Sequence, residues 1–100
     1  MIWHLYVLRC SDGSLYTGIT LDPRRRIQQH NLGRGSKYVR SRLPAFVVCV
    51  EPVGPSKGDA LHVERKFKEL TKVKKESFVQ GDFAAFIFQT LAARYENKIE

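Results

Sequence analysis

Apolar positions in the first half of the chain form three short stretches that predict β-strands. The first two, Ile2–Arg9 and Leu15–Thr20, are rich in aromatic and aliphatic residues and flank the turn residues Cys10–Ser14. This arrangement predicts a β-hairpin. The third stretch, Ala45–Val53, is apolar along most of its length, which favours a strand that is central in its sheet or well covered.

The two strands of the hairpin can pair in two registers. A two-residue Asp12-Gly13 turn would place Tyr6 and Tyr16 on opposite faces. A three-residue loop, with Gly13 in a left-handed bulge position, would pair Tyr6 with Gly18. Both phenols would then share a face, and Gly18 would leave an open space opposite Tyr6.

Helix start and stop signals predict the remaining elements. Asp22 followed by Pro23 is typical of an N-cap and first helical residue. The predicted helices run from Pro23 to near Asn31, from Lys57 to about Leu70, from Thr71 to about Gln80 and from Phe83 to about Tyr95, with a basic loop at 34–42. The predicted fold class is α+β, a three-stranded antiparallel sheet flanked by helices. We expect residues 1–100 to form one domain.

Composition narrows the class of protein. The 100 residues are 43% hydrophobic and 27% charged, which is typical of a globular chain rather than a disordered one. No apolar run is long enough to cross a membrane, and the N-terminus lacks the pattern of a signal peptide. Two cysteines are too few for a disulfide framework. We therefore expect a cytoplasmic protein with no membrane association.

The net charge of +7 is concentrated in one segment, residues 23–50, which contains no acidic residue. Six of its seven basic residues are arginines, whose planar guanidinium matches phosphate oxygens. The segment therefore predicts a nucleic-acid surface, against the alternative of a solvated basic face. The residues predicted to bind nucleic acid are Arg24, Arg25, Arg34, Lys37, Tyr38, Arg40 and Arg42.

Glu64 lies in an unexpected position on the predicted helix that begins at Lys57. At about 100° per residue, it falls inside the apolar sector formed by Ala60, Leu61, Val63, Phe67 and Leu70. A carboxylate directed at a core needs a cation or hydrogen bonds. It is either a sector-edge residue that reaches solvent or a ligand for a divalent cation in phosphate chemistry.

The order and spacing of these residues resemble the GIY-YIG nuclease superfamily. The resemblance rests on Leu5-Tyr6-Val7, Tyr16-Thr17-Gly18, the stretch Asp22 to Arg26, His30 and Glu64, and is closest to the small stand-alone bacterial members. It covers about residues 2–80, leaving the helix at about 83–95 outside the shared core. The name motifs themselves differ, because His4-Leu5-Tyr6 stands for Gly-Ile-Tyr and Tyr16-Thr17-Gly18 for Tyr-Ile-Gly. No counterpart of the late Asn of some members is assigned in this sequence, which leaves that family role open.

The resemblance implies metal-dependent hydrolysis of phosphodiester bonds. It assigns Tyr6 as the general base or its positioning partner, Tyr16 as a hydrogen-bonding group beside the water or metal, and Arg26 as the group that stabilises phosphoryl charge. Glu64 would hold Mg²⁺ or Mn²⁺, and Gly18 and His30 complete the implied catalytic set. An adjacent arginine and a metal would favour the phenolate of Tyr6.

The expected function is an endonuclease acting on DNA, with structured or damaged DNA as candidate substrates and RNA as the alternative nucleic acid. A nucleic-acid-binding module with the same fold and little cleavage is the main alternative. Larger family members carry a separate recognition domain, for which 100 residues leave no room. A basic domain that binds an acidic protein is a third reading, and the sequence identifies no protein partner.

Overall fold

The structure, a computed structural model, describes residues 1–96, which fold into three strands and five helices. In chain order the elements are β1 (Trp3–Arg9), β2 (Leu15–Thr20), α1 (Pro23–Asn31), α2 (Lys37–Arg40), β3 (Phe46–Gly54), α3 (Lys57–Lys68), α4 (Lys72–Gln80) and α5 (Phe83–Glu96). The strands form one antiparallel sheet in the order β2-β1-β3. The predicted fold class is confirmed.

The central strand is β1, whose residues Leu5 to Leu8 are all buried. The prediction that Ala45–Val53 would be central or well covered was wrong. β3 pairs only with β1, and Phe46 and Val47 near its start are 65% and 46% exposed. A continuous apolar run indicates a strand but does not rank it within the sheet, because position depends on which partners the other strands find.

The hairpin between β1 and β2 adopts the three-residue loop. Gly13 has a φ of 84°, the left-handed conformation that glycine adopts without a steric penalty. The Cys10 amide donates to the Ser14 carbonyl at 2.9 Å, which closes the loop. The resulting register pairs Tyr6 with Gly18 and Leu8 with Tyr16, so the two tyrosines lie on one face of the sheet.

Each face of the sheet has its own buried cluster. On one face Leu5 and Val7 pack against Val63 and Phe67 of α3 and against Phe83, Phe86 and Ile87 of α5. On the other face Tyr6, Leu8 and Cys10 pack with Val39 and Ala45. The alternation of side chains along β1 therefore separates the residues that hold the C-terminal helices from those that hold the loop segment 32–45.

Local capping explains where the helices begin. The side chains of Asp22, Ser56 and Thr71 each accept a hydrogen bond from a backbone amide three residues on. Two boundaries differ from prediction. α3 ends at Lys68, and the predicted basic loop contains the short helix α2, which is capped by Ser36. Within residues 1–96, no helix combines the length and apolar character needed to cross a membrane.

Candidate nucleic-acid cleft

A cavity of about 310 Å³ opens where β1, β2, α1 and α3 meet. It is lined by Trp3, Tyr6, Tyr16, Gly18, Ile19, Arg26, Lys57, Leu61 and Glu64. We call it the cleft. The structure thus brings together five of the six residues predicted to form the catalytic and metal sites, and the sixth, His30, lies behind Tyr6. Sequence reasoning missed Trp3 and Lys57.

Tyr6 fills the space that Gly18 provides. Its side chain is 1% exposed, and a Cβ atom added at Gly18 would lie 2.5 Å from the phenolic oxygen. The expected open space opposite Tyr6 is therefore occupied by the tyrosine ring itself. Gly18 carries no functional group, and its contribution to the cleft is to admit this ring.

Tyr6 and His30 form a buried hydrogen-bonded pair. The phenolic oxygen of Tyr6 lies 2.8 Å from Nε2 of His30, which is completely buried. Burial lowers the pKa of His30, and the charge of Arg26 lowers it further, so the imidazole is neutral near pH 7. A neutral imidazole nitrogen can accept a proton from the phenol. This partner was not predicted, because α1 and β1 are far apart in sequence.

The other side of the imidazole is tightly packed. Within residues 1–96, Nδ1 of His30 is buried and has no hydrogen-bond partner. The backbone of Gly35 lies so close to this nitrogen that a side chain at position 35 would overlap it. Unpaired buried polar atoms are uncommon in folded proteins, and they call for a functional or structural reason.

The Tyr6 phenol is protonated at neutral pH. Burial raises the pKa of Tyr6 to about 12, and Tyr16 and Glu64 act in the same direction. Arg26 opposes this increase but does not overcome it. Arg26 therefore favours the phenolate of Tyr6, as expected, but desolvation of the buried phenol outweighs this attraction. His30 becomes the natural acceptor of the Tyr6 proton.

Tyr16 connects this pair with the basic segment. Its ring centroid lies 5.2 Å from that of His30 and 6.4 Å from that of Tyr6. On its other side Tyr38 stacks at 6.1 Å, and the Arg42 guanidinium lies 3.8 Å over the Tyr38 ring. Tyr38 thus extends the aromatic wall of the cleft toward solvent.

Glu64 lies on the side of α3 that borders the cleft. Its side chain is 18% exposed and lies 3.5 Å from the ammonium of Lys68. The helical wheel places Leu61 in the apolar sector and thus predicts that it faces the core. This prediction was wrong, because Leu61 is exposed and borders the cleft. The core-facing side of α3 is narrower than the apolar sector and consists of Ala60, Val63 and Phe67.

The donor set of the cleft fits a hard divalent cation. Glu64 is the one carboxylate among the lining residues, and within residues 1–96 no cluster of three or more His, Cys, Asp and Glu could hold a metal. Mg²⁺ commonly binds through one or two carboxylates and retains several waters. One partly exposed carboxylate beside an open cavity suits that preference.

Most of the predicted nucleic-acid-binding residues are exposed. Within residues 1–96, none of the following has an ion pair: Arg24, Arg25, Arg34, Lys37 and Arg40. We call these five the basic surface. Arg42 differs, because its guanidinium binds Asp12 at 3.0 Å and the Tyr38 carbonyl at 3.0 Å. Arg42 therefore joins α2 to the hairpin loop. The sequence did not predict this contact, because residues 23–50 contain no acid and the partner, Asp12, lies outside them.

Comparison with known proteins defines the class first. Residues 2–77 match the family described as the GIY-YIG catalytic domain, so the chain belongs to the GIY-YIG family. This membership indicates a nuclease-type function with a nucleic-acid substrate, and divalent metals are general in the family. α5 lies beyond the matched residues.

Similar proteins share most of the chain. A UPF0213 protein of Cronobacter sakazakii is 45% identical over 82 residues, covering 82% of this chain and 85% of its own length. The UPF0213 protein VNG_2274C of Halobacterium salinarum is 43% identical over 74 residues, covering 74% of this chain and 95% of its own. The solution NMR structure of the UPF0213 protein BH0048 of Bacillus halodurans is similar, with a TM-score of 0.52 and 44% identity over 80% of this chain and 84% of that one.

Proposed function

We propose that this protein is a metal-dependent endonuclease that hydrolyses phosphodiester bonds in DNA, including structured or damaged DNA. The observation that supports it is the convergence of Tyr6, Tyr16, Arg26 and Glu64 on one cavity, with His30 hydrogen-bonded behind Tyr6. A phenol, a guanidinium and a carboxylate around one space offer groups for proton transfer, stabilisation of phosphoryl charge and metal binding, three contributions that phosphodiester hydrolysis can use.

Tyr6 and His30 together supply the general base. A water oxygen forms a bond to phosphorus while its proton passes to the Tyr6 oxygen, and the Tyr6 proton passes to Nε2 of His30. The phosphorus–oxygen bond to the leaving nucleotide breaks, and the leaving oxygen takes a proton from solvent. Tyr6 remains neutral throughout, which agrees with its raised pKa. The proton therefore ends on a buried imidazole that was neutral beforehand.

Arg26 and Tyr16 orient the phosphate and the attacking water. Arg26 stabilises the negative charge that develops on the phosphoryl oxygens, because its guanidinium borders the same cavity as Tyr6. The Tyr16 hydroxyl hydrogen-bonds the water. Mg²⁺ or Mn²⁺ held by Glu64 supplies Lewis-acid charge when bound. The basic surface and Tyr38 hold the flanking DNA backbone through phosphate contacts.

Glu64→Gln provides the direct test, with Glu69→Gln, at the C-cap of the same helix, as its matched control. Both substitutions remove one carboxylate charge, but Glu69 is outside the cleft. The assay uses linear, nicked, flapped and four-way DNA, and matching RNA, with Mg²⁺ or Mn²⁺ against EDTA. Glu64→Gln should reduce metal-dependent cleavage by at least roughly a hundredfold and leave metal-free binding intact. Glu69→Gln should cut at the wild-type rate.

Two results would contradict this proposal. Cleavage by Glu64→Gln at the wild-type rate would remove the metal role from this residue. A wild-type protein that binds these DNAs but cuts none of them, with either metal, would instead be a nucleic-acid-binding module.

A further inference from the structure

Trp3 and Lys57 occupy the wall of the cleft that has no part in the proposed hydrolysis. Trp3 is the half-buried first residue of β1, and Lys57 is the exposed first residue of α3. The Lys57 ammonium lies 5.3 Å from the centroid of the indole ring. Within residues 1–96 Lys57 has no ion pair, so its charge is available to a ligand.

Core packing does not account for the indole. Neither of the two buried clusters formed within residues 1–96 includes Trp3, although Leu5 and Val7 of the same strand belong to the first. The pairing of β1 with β3 is irregular between Trp3 and His4. Such irregularities re-aim a side chain, and they are over-represented beside active sites. An aromatic ring outside the core, bordering a polar cavity, is a surface for a planar ligand.

The two side chains match the two parts of a nucleotide. Any of the bases can stack on an indole, because every base has a π-face. An ammonium on a flexible stem pairs with a phosphate. The contact between Lys57 and Trp3 is weak at an exposed site, whereas base stacking on an aromatic ring is stronger. An incoming nucleotide can therefore displace Lys57 from the ring and attract it to the backbone.

We propose that Trp3 and Lys57 bind one unpaired nucleotide next to the scissile phosphate, so that the preferred substrates present a single strand, flap or extruded base. A base inside a duplex is stacked on its neighbours and cannot stack on Trp3. The cavity volume of about 310 Å³ is at the small end of ligand sites, which suits one nucleotide rather than a base pair. The position next to the scissile phosphate rests on the proposed function, whereas the stacking does not.

Trp3 reports on this interaction directly, because it is the single tryptophan of the chain. In EDTA, titration with oligothymidylate should quench the intrinsic fluorescence, since a stacked base quenches an indole. A blunt DNA duplex at equal phosphate concentration should leave the emission nearly unchanged. Equal quenching by both DNAs, or none by either, would overturn the proposal.

Variants separate stacking from general charge. By fluorescence anisotropy of labelled DNA in EDTA, Trp3→Ala should weaken oligothymidylate binding about tenfold and duplex binding much less. Trp3→Phe should retain most of the affinity, and Phe88→Ala should bind normally, because Phe88 is an exposed aromatic residue outside the cleft. Lys57→Gln should reduce the slope of log affinity against log salt concentration for single strands by about 0.7, the contribution of one phosphate contact. Lys74→Gln should leave that slope unchanged.

Failure of this inference and failure of the proposed function are distinguishable. If oligothymidylate quenches Trp3 but no DNA is cut, the nucleotide site stands and the hydrolysis fails. If DNA is cut but Trp3→Ala loses equal affinity for both DNAs, the hydrolysis stands and the nucleotide site fails. Circular dichroism confirms that each variant is folded, and the wild-type fluorescence titration needs no variant.

Discussion

The cleft and a larger groove lie on opposite flanks of α3. Lys57, Leu61 and Glu64 border the cleft. The groove, of about 720 Å³, lies between α3, α4 and α5 and is lined by His62, Lys66, Leu70, Lys74, Ser77, Phe78, Phe86, Gln89, Thr90, Ala93 and Arg94. At about 100° per residue the two sets of α3 residues lie on opposite sides of the helix, with the core-facing residues between them.

The groove is more than twice as large, yet its residues do not converge on a reacting centre. Its base is formed by apolar side chains such as Leu70, Phe78 and Phe86. None of its lining residues, which all lie within residues 1–96, is an acid that could hold a divalent cation. The cleft, by contrast, combines a phenol, a guanidinium and a carboxylate, with an imidazole behind them. The candidate active site of this protein is therefore identified by the convergence of polar groups and not by the volume of the cavity.

The strongest test of this contrast inside the cleft is Tyr6→Phe. It removes the hydroxyl that contacts His30 and keeps the ring over Gly18, so the fold should survive. Cleavage should fall by roughly 10²- to 10⁴-fold, the usual contribution of a general base. Single-turnover kinetics measure this effect. Tyr95→Phe, which removes a phenol that binds Asp59 away from the cleft, should cut normally. Equal losses in both variants would point to instability instead.

The pH dependence of cleavage should reflect His30. Its pKa is lowered from the ordinary value of 6.5, and it must be neutral to accept the Tyr6 proton. The value of kcat/KM should therefore be level at neutral pH and decline only once the pH falls below 6.5, through the lowered pKa. The decline should approach about tenfold per pH unit. In a His30→Gln variant this acid limb should vanish; a limb that persists unchanged belongs to another group.

Gly18→Ala should damage the cleft sterically, whereas Gly58→Ala should not. A methyl group at Gly18 would meet the Tyr6 phenol, so the ring must shift, at a cost of about 1–3 kcal/mol in the free energy of unfolding. At Gly58, in the first turn of α3, an added Cβ makes ordinary contacts. That substitution should stabilise the protein by about 0.4–1 kcal/mol. Urea unfolding of both variants provides the comparison, and similar values for the two would argue against tight packing at Gly18.

The smallest effect is expected in the groove. Lys74→Gln removes a cation there, and cleavage should stay within about twofold of wild type, because a surface charge change acts weakly on distant groups at physiological salt. Initial rates on one flapped DNA suffice. A large loss of activity would show that the groove takes part in the reaction and would end the contrast between the two cavities.

Much of the architecture was predictable because its signals are local. Asp22 and Pro23 start α1, Ser56 starts α3 and Thr71 starts α4 through hydrogen bonds that reach only three residues. The resemblance to the GIY-YIG family supplied Tyr6, Tyr16, Arg26 and Glu64 as one group, and the cleft contains all four. Periodicity alone would have left Glu64 undecided between an edge position and a site.

Other features depend on residues far apart in the chain. The phenol of Tyr6 stays neutral because it is buried beside α1. Arg42 forms an ion pair with Asp12, which belongs to another segment. The Lys57 ammonium lies over the Trp3 ring because α3 approaches β1. A pattern along one element identifies which of its faces is apolar but not which element covers that face. Those partners, and the electrostatic balance they set, depend on the tertiary packing.

The sequence by itself determined the types of every element in residues 1–96 except the short helix α2, the starts of the four longer helices, the concentration of positive charge in residues 23–50 and the family. Only the tertiary structure decided that β1 is central, that the tyrosines share a face and that Tyr6 pairs with His30. The physical reason is the range of the interactions. Caps and turns close within a few residues, whereas strand order, burial and proton acceptors depend on contacts between distant segments that form together on folding.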